Sequence, residues 1–246
     1  MTELRKAIAS VPMFDGLDAA HVDFLAARSR AIFLPSGQVL FRKGTPSTGF
    51  YMVHEGLMQL SVSNSEGVLK VLEILRPGSA FGHAVMFVRE PYPVDATALA
   101  DARLVFVPAA AVDRVLDDDP GMARIMLASM ARRLQSKIQD IAMLSLQSAT
   151  QRIVAYILGA AGAGSYDLGG GAAPPAGEAS LDARSTRIEL PALKHVLASR
   201  LGMTPETFSR AMRALSEKGL IRADGAVIEI PDIAALDSYT RSGSIL

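Results

Sequence analysis

Between Phe33 and Pro108, apolar and polar residues alternate in short runs separated by turn residues. The segments LPSGQVLFRKG, GFYMVHEGLMQLSVSNSEG, VLKVLEILRPG and ATALADARLVFVP share this two-residue period, which turns one face of a strand to a core and the other to water. Gly56, Gly67 and Gly78 recur every eleven residues, so turns punctuate the strands at a regular interval. The pattern predicts an antiparallel sandwich or a rolled barrel. At Pro120 the period changes. DPGMARIMLASMARRLQSKIQDIAMLSL follows a helical rhythm, with Leu127, Met130, Leu134, Ile141 and Leu144 at alternating three- and four-residue steps and Lys137 at the gap. This is a heptad seam, and a seam needs a partner. The β-domain of the same chain would serve, but the rhythm fits a parallel helix from a second copy better, so a homodimer is expected.

A second helix, SATQRIVAYILGA, follows, and then GAGSYDLGGGAAPPAGEASLDAR. The stretch 159–187 reads as a long Gly-, Ala- and Pro-rich loop, from which no function is read. Past it, LPALKHVLASRLGMTPETFSRAMRALSEKGLI reads as two helices joined by a tight turn. Leu193, Leu197 and Leu201 form the inner face of the first, and Gly202 supplies the turn. Thr204 is an N-cap and Pro205 occupies the first helical position, where a missing N–H costs nothing. Phe208, Met212 and Leu215 point inward, whereas Glu206, Ser209, Arg210 and Arg213 share the opposite face. LIRADGAVIEI then reads as a hairpin turning at Asp224-Gly225. Together these make a winged helix-turn-helix with its second helix at about 204–216.

Charge sharpens that reading. The chain of 246 residues is neutral overall, yet from Arg184 to Arg222 eight Arg and Lys residues face three acids. In this motif the second helix enters the major groove. Arg210 is suited to guanine, Glu206 to the amino group of cytosine, and Ser209 to a shorter, less selective contact, whereas Lys194, Arg200, Arg213 and Lys218 are suited to phosphates. The plainer alternative is a solvated charged face on a structural helical hairpin. Half of the residues are apolar, enough for one large or two small cored domains. No run is long enough to span a bilayer, and MTELRKAIASVPMF lacks the apolar stretch of a signal peptide, so a cytoplasmic protein is expected. The absence of cysteine removes disulfides, thiolate metal sites and thiolate-held iron–sulfur clusters. No catalytic constellation stands at working spacing, and an enzyme is not expected.

A strand-rich domain, a long seam helix and a winged helix-turn-helix, in that order, resemble the family of the cyclic-AMP receptor protein and the fumarate–nitrate reduction regulator. Met130-Ala131-Arg132-Arg133-Leu134-Gln135 is similar to that family's dimer helix. Within the family, Ala84-Val85-Met86-Phe87, Leu144-Ser145-Leu146 and Pro205-Glu206-Thr207-Phe208-Ser209-Arg210 look most like the dissimilatory nitrate respiration branch. The resemblance implies an α+β chain. An N-terminal antiparallel β-roll of cyclic-nucleotide-binding-like type spans 1–119, a dimerisation helix 120–146, and a DNA-binding winged helix-turn-helix 147–246. It implies a cytoplasmic, homodimeric, effector-gated transcription regulator with RNA polymerase as a partner. Glu206, Ser209 and Arg210 would read a palindrome of two TTGAT half-sites.

The resemblance also bears on the effector. Cyclic-AMP receptors hold the ribose with a Glu after Phe-Gly, the phosphate with an Arg-Ser pair, and the base with Thr-Ser from the dimer helix. At the matching positions this chain carries His83, Pro93-Val94 and Lys137-Ile138. A buried phosphate there would lack its counter-charge, so cyclic AMP is not expected. The expected pocket comprises Phe81, Gly82, His83, Met86, Phe87, Val94, Lys137 and Ile138. Nitrate respiration regulators sense nitric oxide through haem, which makes His83 the candidate axial ligand of a haem iron and Met86 a second candidate. The alternatives are a hydrogen-bonded or solvated His83, a regulator of a different non-nucleotide small molecule, and an effector-independent DNA-binding protein.

Overall fold

The computed structural model describes residues 3–14, 16–162 and 185–242, so most of the Gly-rich stretch lies outside the described residues. The chain forms two compact units that divide inside its longest helix, between Gln135 and Ser136.

In the N-terminal unit two antiparallel four-stranded sheets carry the strands expected from the alternation. The first has the order β1-β8-β3-β6, from β1 (Arg30–Leu34), β8 (Ala102–Pro108), β3 (Gly49–Glu55) and β6 (Ala80–Phe81). The second has the order β2-β7-β4-β5, from β2 (Val39–Phe41), β7 (Asp95–Ala98), β4 (Met58–Ser63) and β5 (Leu69–Leu75). One apolar core joins Leu34, Phe41, Val53, Met58, Leu75, Phe81, Tyr92 and Leu104. Its centre is aromatic: Phe41 stacks on Tyr92 with ring centroids 3.7 Å apart, and Tyr51 stacks on Phe81 at 5.4 Å. The Tyr92 hydroxyl satisfies itself on the Gly49 carbonyl at 3.0 Å.

A second core lies on the other face of the first sheet. There Phe50, Met52, Val105 and Val107 meet Ile8 of α1 (Glu3–Ala9), Leu25 of α2 (Ala19–Arg28), Val112 and Val115 of α4 (Ala109–Asp118), and Met122 and Met126 at the start of α5 (Pro120–Leu146). A sheet covered on both faces needs apolar residues at successive positions. That is why FYMV in β3 departs from strict alternation.

The C-terminal unit holds the last turns of α5, then α6 (Ala149–Ala160), α7 (Lys194–Arg200), α8 (Pro205–Glu217) and α9 (Ile233–Ser242). Ser148 opens α6 with a full capping box, its hydroxyl on the Gln151 N–H and the Gln151 side chain on the Ser148 N–H. The expected hairpin is β10 (Arg222–Asp224) and β11 (Val227–Ile230). Asp224 pairs with Val227, so the turn residues are Gly225 and Ala226, one place later than expected, with Gly225 at φ 60°. A third strand not foreseen, β9 (Thr186–Glu189), pairs with β11 and completes the wing sheet.

Candidate DNA interface and effector site

Helix α8 segregates its residues as the sequence requires. Phe208, Ala211, Met212 and Leu215 are buried, while Glu206, Ser209, Arg210 and Arg213 are exposed. The Thr204 hydroxyl accepts from the Thr207 N–H at 3.2 Å, which closes the first turn, and Pro205 stands at its start. Glu206 is therefore fixed at the helix N-terminus. Its own backbone N–H first, and the Thr204 hydroxyl second, hold its carboxyl below the usual range, with Arg210 adding a smaller pull. The result is an ionised acceptor one turn from the Arg210 guanidinium, which itself touches the Thr207 hydroxyl at 3.3 Å. An acceptor and a fork of donors on one exposed face is the chemistry that reads a C·G pair.

The flanking cations behave less uniformly than expected. Lys194 and Arg213 are exposed. Lys218 places its ammonium 4.8 Å from the centre of the Tyr239 ring. Arg200, read from the sequence as a phosphate contact, is only 4% exposed. Its Nη2 donates to Asp140 Oδ2 of α5 at 2.7 Å, and a side chain so enclosed has no phosphate within reach. Leu193, expected on the inner face of α7, is 70% exposed, because it is the N-cap and the buried set is Val196, Leu197, Ala198 and Leu201.

The segment that begins at His83 is a short helix. Residues His83–Val88 form α3, with Gly82 as a left-handed N-cap at φ 85°. A helix turns about 100° per residue, so the expected pocket residues diverge. Phe81 joins the aromatic core and Val94 packs against it, Met86 joins the helix-side core, and Phe87 is partly exposed. Lys137 and Ile138 belong to the C-terminal unit, where Lys137 Nζ lies 3.4 Å from Asp140.

His83 itself is 6% exposed, its ring edge-on to Phe50, and its Nδ1 is buried without a hydrogen-bond partner. Burial first, and the nearby Arg133 charge second, lower its pKa to about 4 against a smaller opposing pull from Glu73. The imidazole is neutral at physiological pH. Glu73 and Arg133 are the residues sequence reasoning missed. Arg133, on α5, donates Nη2 to Glu73 Oε1 at 2.9 Å and Nη1 to the Ala80 carbonyl at 2.8 Å. The Glu73 side chain is almost wholly buried. A charged residue inside the apolar run VLEIL was the available signal.

On α5, Leu127, Leu134, Ile138 and Ile141 stand between 59% and 65% exposed. Met130 and Leu144 of the expected seam are half-buried, and Met143 is buried.

Two family models match the chain: the cyclic nucleotide-binding domain over residues 31–119, and the Crp-like helix-turn-helix domain over residues 151–239. The chain belongs to the Crp/Fnr family of regulators. The cyclic AMP receptor protein of Thermus thermophilus is 24% identical over 226 residues, spanning 92% of this chain and 95% of its own. The structure of FixK2 from Bradyrhizobium japonicum shares the fold at a TM-score of 0.70 and 19% identity, over 85% of this chain and 96% of its own. The sensor domain of the transcriptional regulator DNR from Pseudomonas aeruginosa is 29% identical at a TM-score of 0.50, over 55% of this chain and 91% of its own. The α+β architecture of this Crp/Fnr regulator is thus a sensory β-domain, a long helix and a C-terminal helix-turn-helix. It is a DNA-binding transcription regulator and not an enzyme. Among the described residues no helix is long and apolar enough to cross a membrane.

Proposed function

We propose that this regulator acts as a cytoplasmic homodimer that reads a palindrome of TTGAT half-sites through Glu206, Ser209 and Arg210. Lys194, Arg213 and Lys218 contact phosphates, and RNA polymerase is its partner. The domains are the β-roll sensor at 1–119, the dimerisation helix at 120–146 and the winged helix-turn-helix at 147–246. The observation that carries the reading is the exposed row Glu206, Ser209 and Arg210 on a helix whose other face is buried. Two-fold symmetry of the protein then matches two-fold symmetry of the site.

The test is binding of the full-length protein to that palindrome and to single-base variants of it. Glu206→Ala is expected to relax discrimination at one base pair by about 1–3 kcal/mol. Arg213→Ala is expected to weaken all sequences alike and to lower the salt slope by about 1. Equal affinity for the palindrome and a scrambled duplex would sink the reading.

The effector reading is nitric oxide, or a related redox signal, sensed through haem. The 29% identity to the sensor domain of DNR supports the branch. His83 would hold the group, because its imidazole is neutral and its Nδ1 has no competing hydrogen bond. Met86 lies one turn further along the same short helix and would be the alternative donor. Haem, when bound, supplies the iron that takes up the gas. A cyclic nucleotide is not the effector. The guanidinium near this site, Arg133, is already engaged by the Glu73 carboxylate, which would repel a phosphate. The absorption spectrum of haem-reconstituted protein is expected to show a stoichiometric Soret band that shifts with nitric oxide and changes in His83→Ala. Free-haem absorbance alone, with palindrome binding intact, would leave a regulator of another small molecule or an effector-independent one.

A further inference from the structure

We infer that Arg200 and Asp140 are positioning residues for DNA reading, a buried lock that ties the end of α7, and through it the recognition helix, to the long helix; this rests on α8 being the reading helix. Arg200 ends α7, one residue before the turn into α8. Its side chain is 5% exposed and that of Asp140 7%. The bond between them is 2.7 Å, and Lys137 approaches the same carboxylate oxygen at 3.4 Å. The turn is gripped a second time, from α6. Arg152 Nη1 donates to the Leu201 carbonyl at 2.7 Å and to the Gly202 carbonyl at 3.0 Å. Two guanidiniums therefore hold the few residues that set the direction of α8. One reaches out of the turn to α5, and the other reaches into it from α6.

Stability is a poor reason for such a pair. Desolvating two charges costs about as much as their attraction returns, and Asp140 Oδ1 is buried with no hydrogen-bond partner. What a buried pair does supply is a single seating. Apolar contacts alone tolerate small shifts at little cost, but any offset of Arg200 from Asp140 pulls apart two charges enclosed away from water. In a palindrome reader that matters, because the two recognition helices must meet major grooves one turn of DNA apart. Arg200 acts through α7 and the turn, without touching DNA.

The two possible roles of Arg200 give opposite signs for its partner. Asp140 is an anion, so if Arg200 contacted phosphate, neutralising Asp140 would leave DNA affinity unchanged or raise it. As half of a lock, its loss lowers affinity. The experiment titrates salt against binding of full-length protein to the TTGAT palindrome and to a random-sequence duplex of equal length. Asp140→Asn and Arg200→Gln are each expected to weaken palindrome binding at least tenfold, with random-duplex affinity and the salt slope as in wild type. Asp140→Asn binding as well as wild type overturns the proposal, as does a salt slope reduced by about 0.9 in Arg200→Gln, the signature of one lost phosphate contact.

The double variant Asp140→Leu/Arg200→Met replaces the pair by apolar bulk and is expected to melt no lower than wild type. It is still expected to bind the palindrome at least tenfold more weakly, and wild-type affinity from it overturns the lock. If wild-type protein shows no preference for the palindrome, base reading by α8 fails on its own account. Amide exchange across Leu201–Thr204 then decides the lock: faster exchange in both single variants supports it, and wild-type rates overturn it.

Discussion

His83 shows how one buried atom fixes a pH dependence. Its folded pKa is about 4 and its ordinary value 6.5, so between those limits the unfolded chain binds a proton that the folded chain refuses. Stability must then rise with pH across that window. It is complete above about 6.5 and falls by roughly 3 kcal/mol as pH drops toward 4. Urea unfolding from pH 4 to 7 is expected to show this slope in wild type and to lose that part of it in His83→Leu. An unchanged slope would mean that His83 is solvated. Beside it, Glu73 and Arg133 form a part-buried ion pair. Arg133→Met leaves the Glu73 carboxylate buried without this partner and is expected to cost about 3–5 kcal/mol. Adding Glu73→Leu removes the buried carboxylate as well and is expected to recover most of that loss. Thermal or urea melts of the two variants check both statements.

Elements were legible where one local signal dominated. Helix α8 has an N-cap, a proline at its start and a clean two-faced pattern, and each agrees with the others. Strand β9 is only TRIE, beside a low-complexity stretch, and it exists because β11 offers it an edge. No local window contains that fact. Helix α3 is six residues long, too short for periodicity to register, and the site residues read around it scatter because it coils. The three evenly spaced glycines illustrate a further limit. Gly56, Gly67 and Gly78 all have φ near 80°, at 81°, 79° and 86°. Their surroundings differ in a way spacing cannot encode. A Cβ on Gly56 would lie 2.0 Å from the Asp101 carbonyl oxygen, whereas one on Gly67 meets nothing within 4 Å. Gly67→Ala is expected to cost only the left-handed backbone penalty, about 1–2 kcal/mol. Gly56→Ala must also displace backbone and is expected to cost distinctly more. Denaturant midpoints of the two variants give the comparison, and equal losses would contradict the packing.

At the scale of the whole molecule, the order of domains was legible because each has its own hydrophobic period. Arg200 was not, since a basic residue beside a helix-turn-helix turn looks the same whether it faces phosphate or a buried Asp140 sixty positions earlier in the chain. The seam on α5 is exposed within one chain at Leu127, Leu134 and Ile141, so polar replacements there leave its own cores intact. In a parallel two-fold dimer each seam residue meets its own copy, so Leu134→Lys/Ile141→Lys sets like charges against each other twice. Sedimentation is expected to show a monomer in place of a dimer, with the melting temperature of the sensory sheets unchanged. The second half-site contact then ceases to be intramolecular, and palindrome affinity is expected to fall by about 10²–10⁴ while affinity for a lone half-site stays constant. A variant that remains dimeric would move the interface off this seam. One that becomes monomeric yet keeps full palindrome affinity would mean that each recognition helix binds without help from the other.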